Sequence, residues 1–205
     1  MMFESEFIKG LFQNAIFFLD ESISYINRGV SDRRNMILAI INMQISMELA
    51  LKSSLATNFG LRTILVEKHA NLSEKELQRL YEENNLKITE YDSLKNFLKT
   101  PQGNIEAYNF EKPQYKYMER FQKYRNRILH SSYVFSNDEI QQMESDLIYV
   151  LIHILGVILS DRTDEEYRTF VQEYLNSREY SKLLKNSVYN KELQIFLQEE
   201  YDKLY

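Results

Sequence analysis

The stretch Tyr124 to His130, YRNRILH, gathers the side chains that phosphate chemistry uses. An imidazole, with an ordinary pKa of about 6.5, gives or takes a proton near neutrality. A guanidinium holds two phosphate oxygens in its planar fork. A carboxamide beside them orients either group by hydrogen bonds. On a regular helix Asn126 and His130, four residues apart, stand one above the other. They lie about 160° and about 200° from Ile128, away from the apolar stripe of Tyr117, Phe121, Tyr124 and Ile128. Arg125 is about 140° round the axis and about 7.5 Å along it from His130, so only its long side chain brings its charge toward the imidazole. The trio can meet at one phosphate on the outer surface of the helix, not in its core.

The surroundings are basic. Between Lys112 and Arg127 lie Lys112, Lys116, Arg120, Lys123, Arg125 and Arg127 against one acid, Glu119, a local +5 in a chain of net charge −5. Tyr115 and Tyr117 stand among them as surfaces for base stacking. Basic and aromatic residues around a histidine suit RNA binding and cleavage. A solvated basic face is the plainer alternative. The other two histidines carry less: His153 falls in an apolar run and reads as a core residue, and His69 sits in a polar segment with no partner pattern. No two histidines are three or four apart, no metal-ligand spacing appears, and there is no glycine-rich phosphate loop.

The elements that must position this stretch read as helices. Five glycines and two prolines in 205 residues are too few for a sheet protein, which needs frequent turns. The hydrophobic share of 44% lies in the globular range and argues against disorder. With no cysteine there is neither a disulfide nor a thiolate zinc site. No signal peptide is recognised, and the run Leu147 to Leu159 is short of the roughly 20 residues that span a bilayer. The expectation is a cytoplasmic protein that does not enter the membrane. An amphipathic helix is expected over residues 3–28, with Phe7, Leu11, Ile16, Leu19, Ile23 and Ile26 inward and Gly29 as its stop. Ser31 is expected to cap a second helix, 32–56, apolar nearly all round and therefore central. Its polar residues Asn42, Ser46, Glu48 and Lys52 then need partners, and Glu48 and Lys52 are spaced to pair.

Residues 61–100 read as an insertion of shorter polar helices, one opened by the capping box of Ser73 and Glu76 and another over 88–99. A loop with Pro101, Gly103 and Pro113 follows. The third long helix starts near Gln114 and carries the YRNRILH stretch. Asn137 is expected to cap a fourth, 138–160. A capping box at Thr163 to Glu166 opens a helical extension, 161–205, packed on the same domain.

The hexapeptide from Arg125 to His130 resembles the signature of the HEPN superfamily (higher eukaryotes and prokaryotes nucleotide-binding). Its active members carry Arg, a polar residue, a few more residues and then His, near the end of the third helix of a four-to-five-helix bundle. The segment Ser46 to Leu55 resembles the second helix of such domains, where an acid is common, and Glu48 matches it in a supporting role. The likeness covers residues 1–160. It implies an all-α HEPN-like bundle and a metal-independent endoribonuclease with no cofactor, in a toxin or antiviral defence effector. Arg125, Asn126 and His130 would be catalytic, and Lys116, Arg120, Lys123, Arg127 and Tyr133 would bind RNA. A homodimer pairing two copies of the motif is implied, with a cognate antitoxin or other regulator as a further partner. A silent RNA-, nucleotide- or protein-binding module is the alternative. Two departures stand out: Ser132 occupies a place where family toxins paired with nucleotidyltransferase-like antitoxins often have Tyr, and Arg127 is a second arginine within the motif.

Overall fold

The computed structural model describes residues 2–29, 32–103, 105, 108, 110–130, 135–151, 154, 157 and 158. They form an all-α architecture: α1 (Met2–Gly29), α2 (Arg33–Phe59), a 3₁₀ turn (Leu61–Ile64), α3 (Glu67–Ala70), α4 (Glu74–Glu82), α5 (Tyr91–Leu98), α6 (Lys112–His130) and α7 (Asn137–Val150). The expected helix at Thr163 and the extension 161–205 lie outside the described residues, as does His153.

The first two helices make an antiparallel hairpin. On α1 the buried apolar positions are Phe3, Leu11, Phe12, Ala15, Leu19, Ile23 and Ile26, whereas Phe7 and Ile16 are only half buried. The small Ala15 faces α2, where Ala39 and Ala50 are also buried, so the backbones approach closely. Three serines exploit that approach: Ser22 Oγ donates to Ala39 O at 2.8 Å, Ser46 Oγ to Ala15 O at 2.7 Å and Ser53 Oγ to Ile8 O at 3.2 Å. These bonds explain polar residues in a helix that is otherwise core. Asn42 turns back to Leu38 O, and Glu48 pairs with Lys52.

Helix α2 is central. Met36, Ile40, Met43, Met47, Leu51 and Leu55 are essentially inaccessible, and burial of each such side chain stabilises by about 1.5–3 kcal/mol. By length and composition α2 could cross a bilayer, but 61% of its most apolar window is buried against other helices. The longest strongly apolar run in the sequence, too short to span a bilayer, starts instead at Leu147. That run does belong to the core, through Leu147, Val150, Leu151, Ile154 and Ile158.

Several boundaries differ from expectation, each for a local reason. Asp32 rather than Ser31 caps α2, accepting from Arg34 N at 2.8 Å. The helix runs on to Phe59 and stops at Gly60, whose φ of 88° is disfavoured for residues with a Cβ. Helix α5 starts at Tyr91 and not at Ile88, because Ile88 is extended in an antiparallel bridge with Leu65. Helix α6 starts at Lys112, since Pro113 suits a first turn where its missing N–H is not needed. Ser136, not Asn137, caps α7: its Oγ accepts from Glu139 N, and its own N–H donates to the Glu139 carboxylate at 2.9 Å. The box at Ser73 and Glu76 forms as expected.

His69 has a structural task. It is buried, and its Nδ1 accepts from Lys87 N at 3.1 Å, closing the segment around α4 beside the Leu65–Ile88 bridge.

Candidate functional site on the sixth helix

Three flanks of α6 are occupied, and the fourth is bare. The core flank is Met118, Phe121 and Tyr124, with Tyr117 and Ile128 only half buried. Met118 was not foreseen, because the four-three-four spacing from Tyr117 drew the stripe one residue off centre.

A second flank meets α7. Asp146 is wholly buried and accepts from Arg120 Nη1 at 3.0 and 3.1 Å, from the Tyr124 hydroxyl at 2.7 Å and from Gln142 Nε2 at 2.8 Å. Burial, together with the bond to Asp146, pushes the Tyr124 hydroxyl well above its ordinary pKa. The Arg120 guanidinium lies over Tyr117, which stacks on Tyr149 with ring centroids 3.6 Å apart. About two turns on, Arg127 bonds Glu139 at 2.8 Å and covers the Phe135 ring. Arg120 and Arg127, expected as RNA-binding residues, are thus engaged by the acids of α7. Both acids lie more than ten residues away in sequence, which is why spacing within α6 could not reveal them.

The third flank meets α5, which runs antiparallel to α6. Asp92 accepts from Lys95 at 2.8 Å and from Gln122 at 2.7 Å, and these two hydrogen bonds hold its carboxyl below the usual range. Lys95 is itself buried and also donates to Gln122. Farther along, Lys99 bonds Glu119 at 3.3 Å and lies over the Tyr115 ring, while the Tyr115 hydroxyl donates to Leu98 O. The segment 61–100 therefore covers one side of α6.

What is left is a ridge. Lys112, Lys116, Lys123, Asn126 and His130 are exposed, with Glu119 half buried among them. Their spacing of four, three, four, three, four keeps them within about 80° of arc on the helix. The ridge ends at His130, the last residue of α6. Arg125 is half buried and leaves the helix about 100° round from Asn126, but its Nη1 reaches across to donate to Asn126 Oδ1 at 3.0 Å. Motif residues 125 and 126 are thereby tied together, and Asn126 and His130 share one exposed side as expected. Glu48 is half buried on α2. Its contacts lead to Lys52 and to Tyr91, whose hydroxyl is pushed well up by burial and then by the Glu48 charge. They do not lead to the motif. Tyr133 lies outside the described residues. No group of three or more His, Asp or Glu among the described residues is placed to hold a metal ion.

No family model, no curated protein and no solved structure matches this chain. The geometry of α6 therefore carries the functional argument together with the resemblance of its motif.

Proposed function

We propose that this chain is a HEPN-type endoribonuclease that cleaves RNA without a metal, at a composite site formed by two copies of Arg125, Asn126 and His130. The observation that carries the reading is the contrast along α6. Arg120 and Arg127 are committed to Asp146 and Glu139, while Asn126 and His130 stand exposed on one side with Arg125 bonded beside them. Folding has no evident use for that surplus of phosphate-binding and proton-transferring groups.

In the proposed reaction the RNA 2′-oxygen attacks the adjacent phosphorus as one imidazole takes its proton. The bond from phosphorus to the 5′-oxygen breaks, and an imidazolium gives that oxygen a proton. The products are a cyclic 2′,3′-phosphate and a 5′-hydroxyl. Arg125 binds the non-bridging oxygens as charge builds, and Asn126 holds Arg125 in place. One chain supplies one motif histidine, so acid and base require a second copy. DNA lacks the nucleophile and resists. A toxin or defence effector acting in the cytoplasm, with a cognate regulator, is the biological setting the resemblance supports.

The test is cleavage of labelled single-stranded RNA in EDTA by wild type, His130→Ala and Arg125→Ala, with light scattering for mass. Cleavage by wild type alone, from a dimer, is expected. Equal cleavage by all three proteins, or a strict monomer that cleaves, sinks the reading. The Arg125–Asn126 bond also favours a second reading, a silent RNA- or protein-binding module, because it engages the guanidinium within its own chain. That module would bind RNA and cleave none.

A further inference from the structure

The ridge on α6 has a second end, away from the motif. Fourteen residues before His130 it enters a cleft of roughly 860 Å³ at the start of α6, between Lys99 just past α5 and Phe110. Lys112, Tyr115, Lys116 and two acids, Glu111 and Glu119, line it as well. Lys99 and Glu119 neutralise one another. Lys112 and Lys116 form no ion pair with any described residue, and neither does Lys123 farther along. The first turn of α6 contains no acid, although the N-terminal pole of a helix is already positive and favours one. With Glu111 beside them, Lys112 and Lys116 still leave that pole net positive, a surface that favours a bound anion. Phe110 and Tyr115 add an aromatic wall, their rings 6.2 Å apart at 85°, against which a base can rest.

We infer that a single RNA strand runs along this ridge from the motif at His130 to the cleft, with phosphates about two to three nucleotides apart on Lys123, Lys116 and Lys112. This rests on the proposed ribonuclease function and defines its substrate as a stacked single strand several nucleotides long and not a short end. From Lys116 to His130 the helix rises about 21 Å, and at about 3.4 Å per stacked nucleotide that is a strand of about six nucleotides. An A-form duplex is too broad to follow one ridge hemmed in by α5 and α7. The lysines reach phosphates, which carry no sequence, so this part of the footprint sets length and strandedness but not sequence preference.

The experiment measures affinity for single-stranded RNAs of four and twelve nucleotides at several salt concentrations, for wild type and Lys112→Gln/Lys116→Gln, with thermal melting to show that both fold. Each phosphate contact on a single strand contributes about 0.7 to the slope of log affinity against log salt. The double variant should therefore lose about 1.4 from its slope on the twelve-nucleotide RNA. Between about 50 and about 200 mM salt the wild type should lose about sevenfold more affinity than the variant. The gain in affinity from four to twelve nucleotides should shrink in the variant. An unchanged slope, an equal loss at both lengths, or equal competition by duplex DNA or polyglutamate overturns the inference. If wild type cleaves neither RNA yet the slope and length effects appear, the strand path stands and the catalytic reading alone fails.

Discussion

Replacing Arg120 by Met separates a structural arginine from an RNA-binding one. The change keeps most of the aliphatic stem over Tyr117 and removes the cation. Asp146 is then a carboxylate with no exposure and no positive partner, held only by Tyr124 and Gln142. Removing one member of a buried pair costs about 3–5 kcal/mol. The Arg120 side chain is 39% exposed, so solvent already screens part of the attraction. The two remaining donors soften the loss further. A destabilisation of about 2–3 kcal/mol follows from these two corrections. With a urea slope of about 2 kcal/mol per molar, the midpoint falls by about 1 M or slightly more. Lys123→Met, on the bare ridge, should change stability by less than about 0.5 kcal/mol. Urea unfolding followed by circular dichroism reads both. If Arg120→Met keeps the wild-type midpoint, or if Lys123→Met falls as far, the division of α6 into an engaged flank and a free ridge is wrong.

The other predictions concern the scaffold. Ser46→Ala removes a buried hydroxyl that bridges α2 to α1 and should cost about 0.5–1.5 kcal/mol in chemical denaturation, since Ala fits the space without strain; a neutral result would mean the bridge adds nothing. Gly103→Ala should be far worse than an ordinary loop change, because an added Cβ would lie 2.2 Å from the Phe97 carbonyl oxygen; a wild-type melting temperature would contradict that close approach. Asp92, depressed by its bonds to Lys95 and Gln122, ties α5 to α6. A depressed carboxyl contributes stability above its unfolded pKa and loses it as pH falls through the folded value. Wild type should therefore weaken at and below the ordinary aspartate range, and Asp92→Asn should flatten that acid limb in pH-dependent melting; parallel acid limbs for the two proteins would refute the contribution.

How much was legible in the sequence depends on the range of the interaction. Helical class and the central place of α2 followed from periodicity and from an apolar surface on nearly every side, both local signals. Caps were found to within a residue or so. Where two polar residues adjoin, as at Ser31 and Asp32 or Ser136 and Asn137, pattern cannot choose between them. The exposure of Asn126 and His130 was legible because angle alone decides it. The fates of the arginines were not: Arg120 and Lys123 look alike within α6, and only Asp146, packed against it from α7, tells them apart. Likewise nothing local announced that α5 would lie against Glu119 and Gln122.

The three serine bridges between α1 and α2 recur every seven residues on both helices. A slide of α2 along α1 by one such interval, about 10.5 Å, would bring Ser53 opposite Ala15 and Ser46 opposite Ser22. Small residues would again meet hydroxyls. The hairpin therefore behaves like a bolt with evenly spaced notches, and its side chains do not by themselves select one notch. The short link does: Asp32 N donates to Gly29 O at 3.2 Å, and the midpoint of the observed pairing falls between Val30 and Ser31. Lengthening that link by seven residues would release the detent and let the chain populate two alignments. The tight corner is thus what assigns every downstream helix, α6 included, its position along the bundle.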